Sequence, residues 1–147
     1  ILDAAGIAPN KDDKARPGKS LWKIADQNDD NGRVVFSEYH AVGAETGCFM
    51  IRKRNFKYVH YVDYPAQLFD LESDPLEQND LINDPSHVAL IKQFEKELRH
   101  ICDPELVDRR AKKDQATLVE KHGGRDAVLK RGSFNGTPAP GEKAIYG

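Results

Sequence analysis

Two strand-like runs, Thr46 to Lys53 "TGCFMIRK" and Phe56 to Asp63 "FKYVHYVD", are separated only by Arg54-Asn55. A two-residue gap is the length of a tight turn, so the runs must fold back on each other as an antiparallel hairpin. In the second run Phe56, Tyr58, His60 and Val62 share one face, and Lys57, Val59, Tyr61 and Asp63 the other. Upstream, Arg33 to His40 "RVVFSEYH" has the β-branched and aromatic content of another strand. Downstream, Gln67 to Leu71 is a short fourth, set apart by the Tyr64-Pro65 break. The expectation is a four-stranded antiparallel meander.

Helical periodicity takes over after Ser86, which is placed to cap the run that follows. Val88, Ile91, Phe94, Leu98 and Ile101 recur at helical spacing and make a stripe able to cover one face of the sheet. Pro104, at a first helical turn, opens a charged helix that Gly123-Gly124 ends, and 132–147 reads as tail. The fold class is therefore α+β: a four-stranded antiparallel sheet packed by one long helix, with a charged C-terminal helix and an irregular tail. Between sheet and helix stands "QLFDLESDPLEQNDL", whose Asp74-Pro75, followed by Asp84-Pro85, forbids further strand. It reads as a corner and carries no reaction.

At the other end, Ile1 to Ile7 has the apolar spacing of a helix end closed by Gly6, with no N-cap before it. That leads us to expect a piece of a longer chain. Ser20 can cap a short helix from Leu21 to Asp26. The organisation expected is a lead-in over 1–32, the α+β subdomain over 33–102 and a helical extension with its tail over 103–147.

The 147 residues, 39% hydrophobic, are enough for one domain. With 22 basic against 24 acidic residues and no basic stripe, nucleic acid is not an expected partner. No apolar run approaches the ~20 residues of a membrane span, and no signal peptide is visible, so no membrane association is expected. Cys48 and Cys102 lack the spacing of a metal site or a disulfide framework and read as small buried hydrophobes. The compartment stays open.

The order "VVFSEYH", "MIRKRNFKYVHY", "QLFDLESDPLEQNDL" and then a helix strongly resembles the C-terminal subdomain of the sulfatase family, in the alkaline phosphatase superfamily. "ILDAAGI" and "RPGKSL" look like the helix and loop just upstream of it, so the resemblance covers about Ile1 to Leu98. From Asp103 on, "DQATLVEKHGGRDAV" is similar to an extension in bacterial members near the choline-sulfatase and phosphonate-monoester-hydrolase branch.

The resemblance implies a hydrolase of sulfate monoesters. Its nucleophile would be a hydrated formylglycine made from Cys or Ser in a Cys/Ser-x-Pro/Ala-x-Arg motif. A divalent cation, usually calcium, would neutralise the oxyanion, with Lys and His groups assisting the leaving oxygen. All of these belong upstream of a helix like "ILDAAGI", on an N-terminal catalytic domain that would be this piece's partner. No catalytic residue and no metal ligand is assigned here, and the isolated 147 residues are expected to be silent. Apolar surface bared by the cut would open the piece to self-association.

Two near-matches arise. Cys48 and Arg52 have the nucleophile motif's spacing, but Met50 stands where Pro or Ala belongs and the segment is a predicted strand, so Cys48 reads as a core cysteine. Gln27, Asp29, Asn31, Gly32 and Glu38 fit much of an EF-hand loop, yet Gln27 takes the first position and β-rich sequence follows where a helix is needed. A solvated turn is the reading preferred. The residues with a claim to substrate are Glu38, Tyr39 and His40, with Thr46 and Glu45 weaker, because in the family this strand end and loop face the substrate cleft. Phosphonate or phosphate monoester hydrolysis is the alternative within the superfamily, and a non-catalytic protein-binding module the alternative outside it.

Overall fold

A computed structural model describes residues 1–15, 18–27, 32–41 and 43–132. Two compact units are distinguished, Ile1–Val34 and Val35–Gly147. In the first, the expected helix end at Ile1 is a single turn, closed by Ala5 N–H on Ile1 C=O at 3.0 Å and left at Gly6, whose φ is 66°. Helix α1, Leu21–Ala25, follows Ser20, but the Ser20 side chain makes no capping bond.

The second unit is built on the sheet. Strands β1 (Val34–Tyr39), β2 (Cys48–Lys53), β3 (Phe56–Tyr61) and β4 (Tyr64–Asp70) lie in the order β1-β2-β3-β4, the meander expected. Both central connections are two-residue turns with a non-glycine residue at positive φ, Arg54 at 55° and Asp63 at 65°. Antiparallel pairing sets Phe49 opposite His60 and Ile51 opposite Tyr58. Strand β4 starts at Tyr64 rather than Gln67, so Pro65 lies inside it. The reason is its place at the sheet edge, where a missing backbone N–H interrupts no ladder.

Helix α2, Val88–Ile101, covers the face that carries Phe49, Ile51, Tyr58 and Leu68. Phe94 and Leu98 are its buried residues, while Val88 and Ile101 at the ends of the apolar stripe stay largely exposed. The Tyr58 and Phe94 rings stack at 5.9 Å, and Tyr58 OH donates to Glu95 Oε2 at 3.1 Å. Phe69 and Val59 are buried on the opposite side of the pleat, so neither face is simply solvated.

The acidic corner after β4 has a structural use. Asp70 accepts from Asn55 Nδ2 at 2.6 Å and from Glu72 N–H and Ser73 Oγ. Asp74 accepts from Asn79 N–H, and Asp80 from both Leu68 and Ile82 N–H at 3.0 Å. Each carboxylate satisfies backbone donors that the turning chain leaves without a ladder partner. Asp84 does the same before α2, accepting from Ser86 N–H at 2.8 Å. It takes the capping role expected of Ser86, because the helix is entered through a 3₁₀ turn, Pro85–His87, which moves the cap upstream.

Helix α3, Pro104–Lys121, begins at Asp103, whose side chain accepts from Leu106 N–H at 2.9 Å, with Pro104 in the first turn. Gly123 and Gly124, at φ 93° and 84°, end α3 as expected. The chain then enters a further helix, α4, Gly124–Arg131, absent from the sequence reading. The tail and the loop carrying Asp29 and Asn31 lie outside the described residues. Among those described, no helix is long and apolar enough to cross a membrane.

Candidate functional site

Strand β1 delivers Glu38, Tyr39 and His40 to the start of a loop, 40–47, that returns into β2. Strand alternation sends Glu38 and Tyr39 to opposite faces, so the four expected residues do not converge on one point. Glu38 and His40 are brought together, with His40 Nε2 3.8 Å from Glu38 Oε2, beyond hydrogen-bond length. Tyr39 is half exposed. Thr46 turns inward and donates from Oγ1 to Val62 C=O at 2.9 Å, opposite the Val62 N–H bond to Gly47 C=O at 3.1 Å. Glu45 accepts from Tyr64 OH at 2.9 Å, which raises the Tyr64 phenol above its ordinary value.

The His40 ring packs edge-on to Phe49, centroids 5.3 Å apart, and Phe49 has His60 on its other side at 6.4 Å. Both His40 ring nitrogens, and Nε2 of His60, are buried without a hydrogen-bond partner among the described residues. Such unspent polar capacity is uncommon in a folded interior. Gly47 is what permits the His40 arrangement. A Cβ on it would lie 2.9 Å from His40 Cε1 and 2.9 Å from Phe49 Cε2.

Helix α3 closes the site from the other side of the chain. Asp108, 4% exposed, accepts the Gly47 N–H on Oδ1 at 2.7 Å, and Lys112 Nζ lies 2.9 Å from Oδ2. Burial by itself would raise the Asp108 carboxyl, but the bonds from Lys112 and Gly47 outweigh it and hold the group below its usual range. Gln115 donates from Nε2 to His40 C=O at 2.8 Å. These α3 residues are absent from the sequence reading, which assigned no site residue to this helix. An Asp108-Lys112 pair at i, i+4 is legible in the sequence, but its reach to Gly47, 61 residues earlier, is not.

Cys48 begins β2 opposite Tyr61, and burial pushes its thiol up, away from the thiolate that a nucleophile needs. Among the described residues, no group of three His, Cys, Asp or Glu side chains could hold a metal ion.

Residues 1–103 match the family model described as N-sulphoglucosamine sulphohydrolase, C-terminal. Arylsulfatase K of Danio rerio is 37% identical over 72 residues, which cover 47% of this chain and 13% of that protein. Choline-sulfatase of Rhizobium meliloti is 34% identical over 85 residues, covering 58% of this chain and 16% of that protein. A solved structure of a 2-O GAG sulfatase superposes with a TM-score of 0.53 and 27% identity, covering 79% of this chain and 24% of that one. The chain thus spans well under a quarter of the length of either of these curated relatives.

Proposed function

The chain belongs to the family described as N-sulphoglucosamine sulphohydrolase, C-terminal, and on that premise we propose that it works in a sulfatase, a hydrolase of sulfate monoesters. The match over residues 1–103 carries the reading. In it, this domain forms part of the substrate-cleft wall and packs against a catalytic domain earlier in the full-length chain. The lead-in 1–32, the subdomain 33–102 and the extension 103–147 are its three parts. Leu21 and Trp22, 77% and 67% exposed, are apolar surface of the kind a neighbouring domain covers.

Such a catalytic domain would hold a divalent cation, calcium, and a formylglycine, which would supply oxyanion neutralisation and a hydrated nucleophile. This chain's own residues bind and shape. Glu38 and the accessible edge of His40 beside it, 19% of whose side chain is exposed, face the organic part of the ester, with Tyr39 at the rim. Thr46 contributes by fixing the loop to Val62.

Release of phenol from a chromogenic aryl sulfate tests the proposal, comparing the full-length protein, matured and supplied with calcium, with the 147 residues alone. Turnover by the first and silence of the second is expected. Failure of the full-length protein on a panel of sulfate esters, or equal turnover by the piece, overturns it.

A further inference from the structure

The loop 40–47 is tied at both ends to one helix. At its start His40 C=O accepts from Gln115, and at its end Gly47 N–H donates to Asp108. Asp108 and Gln115 are seven residues apart, two helical turns, and so lie on the same face of α3 about 10 Å from each other. One rigid face therefore sets the separation of the two loop ends. The anchors differ in kind. Asp108 is buried and charged, braced by Lys112, whereas Gln115 is exposed and reaches in to a backbone carbonyl. Between them His40 lies against Gly47, where a side chain would leave it no room. Helix α3 begins at Pro104, one residue past the end of the family match.

From this geometry we infer that Asp108 and Gln115 are positioning residues: α3, an element past the end of the family model's match, fixes His40 and Gly47, the two ends of the loop that faces substrate. The inference deepens the proposed function, since it rests on that reading for what the loop faces. Neither residue reacts. Each acts through the backbone of His40 or Gly47, and through it on where the His40 ring stands.

Two readouts on the full-length protein test it. Hydrogen exchange over 40–47 should quicken about three- to tenfold in Gln115→Ala and in Asp108→Ala, the effect of losing one hydrogen bond. Asp108→Asn keeps an oxygen for the Gly47 N–H and should exchange close to wild type. In the same variants KM for an aryl sulfate should rise about threefold or more with kcat held within about twofold, the mark of lost positioning in binding. Wild-type exchange over 40–47 in both alanine variants overturns the inference, as does faster exchange with an unmoved KM, or an Asp108→Asn as loose as Asp108→Ala. Gln115 is exposed, so its variant folds regardless of how Asp108→Ala behaves. If the full-length protein turns over no sulfate ester, the function reading falls, and exchange alone then decides whether α3 holds the loop.

Discussion

Arg99 grips Glu105 with two bonds, Nη1 to Oε2 at 2.8 Å and Nη2 to Oε1 at 2.9 Å, across the corner between α2 and α3. Its Nε also donates to Glu95 at 2.9 Å, so one guanidinium joins both helices. The corner that aims α3 at the sheet is thus held by a charge pair as well as by the Asp103 cap.

Acid should release that corner. The hydrogen bonds from Arg99 hold the Glu105 carboxyl at about 2, below its ordinary value. A depressed carboxylate contributes stability that is complete above the unfolded value of about 4.3 and disappears as pH falls through the folded one. The urea midpoint should fall between about pH 4.3 and 2, and Glu105→Gln should flatten that part of the profile. The pair is 43% and 38% exposed, so about 1 kcal/mol or less is at stake. An unchanged profile in the variant would remove the pair from the account of the corner.

At Gly47 the demand is for space. Gly47→Ala should cost roughly 1–3 kcal/mol, because the new methyl meets two rings at once. In a His40→Ala background the cost should drop by a measurable part, leaving the Phe49 clash. Thermal denaturation of the four species in a double-mutant cycle measures the coupling, and additivity within about 0.5 kcal/mol would refute the contact.

Phe49 is fully buried and flanked by two imidazoles with unpartnered nitrogens. Phe49→Ala should cost roughly 3–5 kcal/mol and leave a cavity with polar walls. Water able to bond those nitrogens would offset part of the loss. A cost below about 2 kcal/mol would mean the site collapses around the gap.

Asp80 binds Leu68 N–H on the outer edge of β4, where Leu81 N–H also reaches Leu68 C=O at 2.8 Å. Asp80→Ala should free the Leu68 amide to exchange about fivefold faster, with β2 unaffected. Equal effects in β2 and β4 would point to global destabilisation rather than an edge contact.

The sheet was legible because its signals are local. Val34, Phe36, Ile51, Tyr58 and their neighbours bring β-branched and aromatic residues to whole strands, and Arg54-Asn55 left no other connection. Boundaries moved where a single residue type has two structural meanings. Pro65 reads as a break but is tolerated at an edge, and Ser86 reads as a cap although Asp84 reached the free donors first. Gly123-Gly124 reads as a stop, and nothing in the pair itself announces that a helix restarts at once. The site was half legible. Glu38 and His40 could be picked out on their strand end, whereas Asp108 and Gln115 act across 61 and 75 residues of sequence and leave no local trace.

The family model's match ends at residue 103, but the compact unit built on the sheet does not. Anyone trimming the chain at that border to obtain a minimal domain would keep Gly47 and His40 and discard both of their anchors. The Gly47 amide would lose its acceptor and the His40 carbonyl its side-chain donor. The border of the family match and the border of the folded unit differ here, and a piece meant to stand alone has to follow the second.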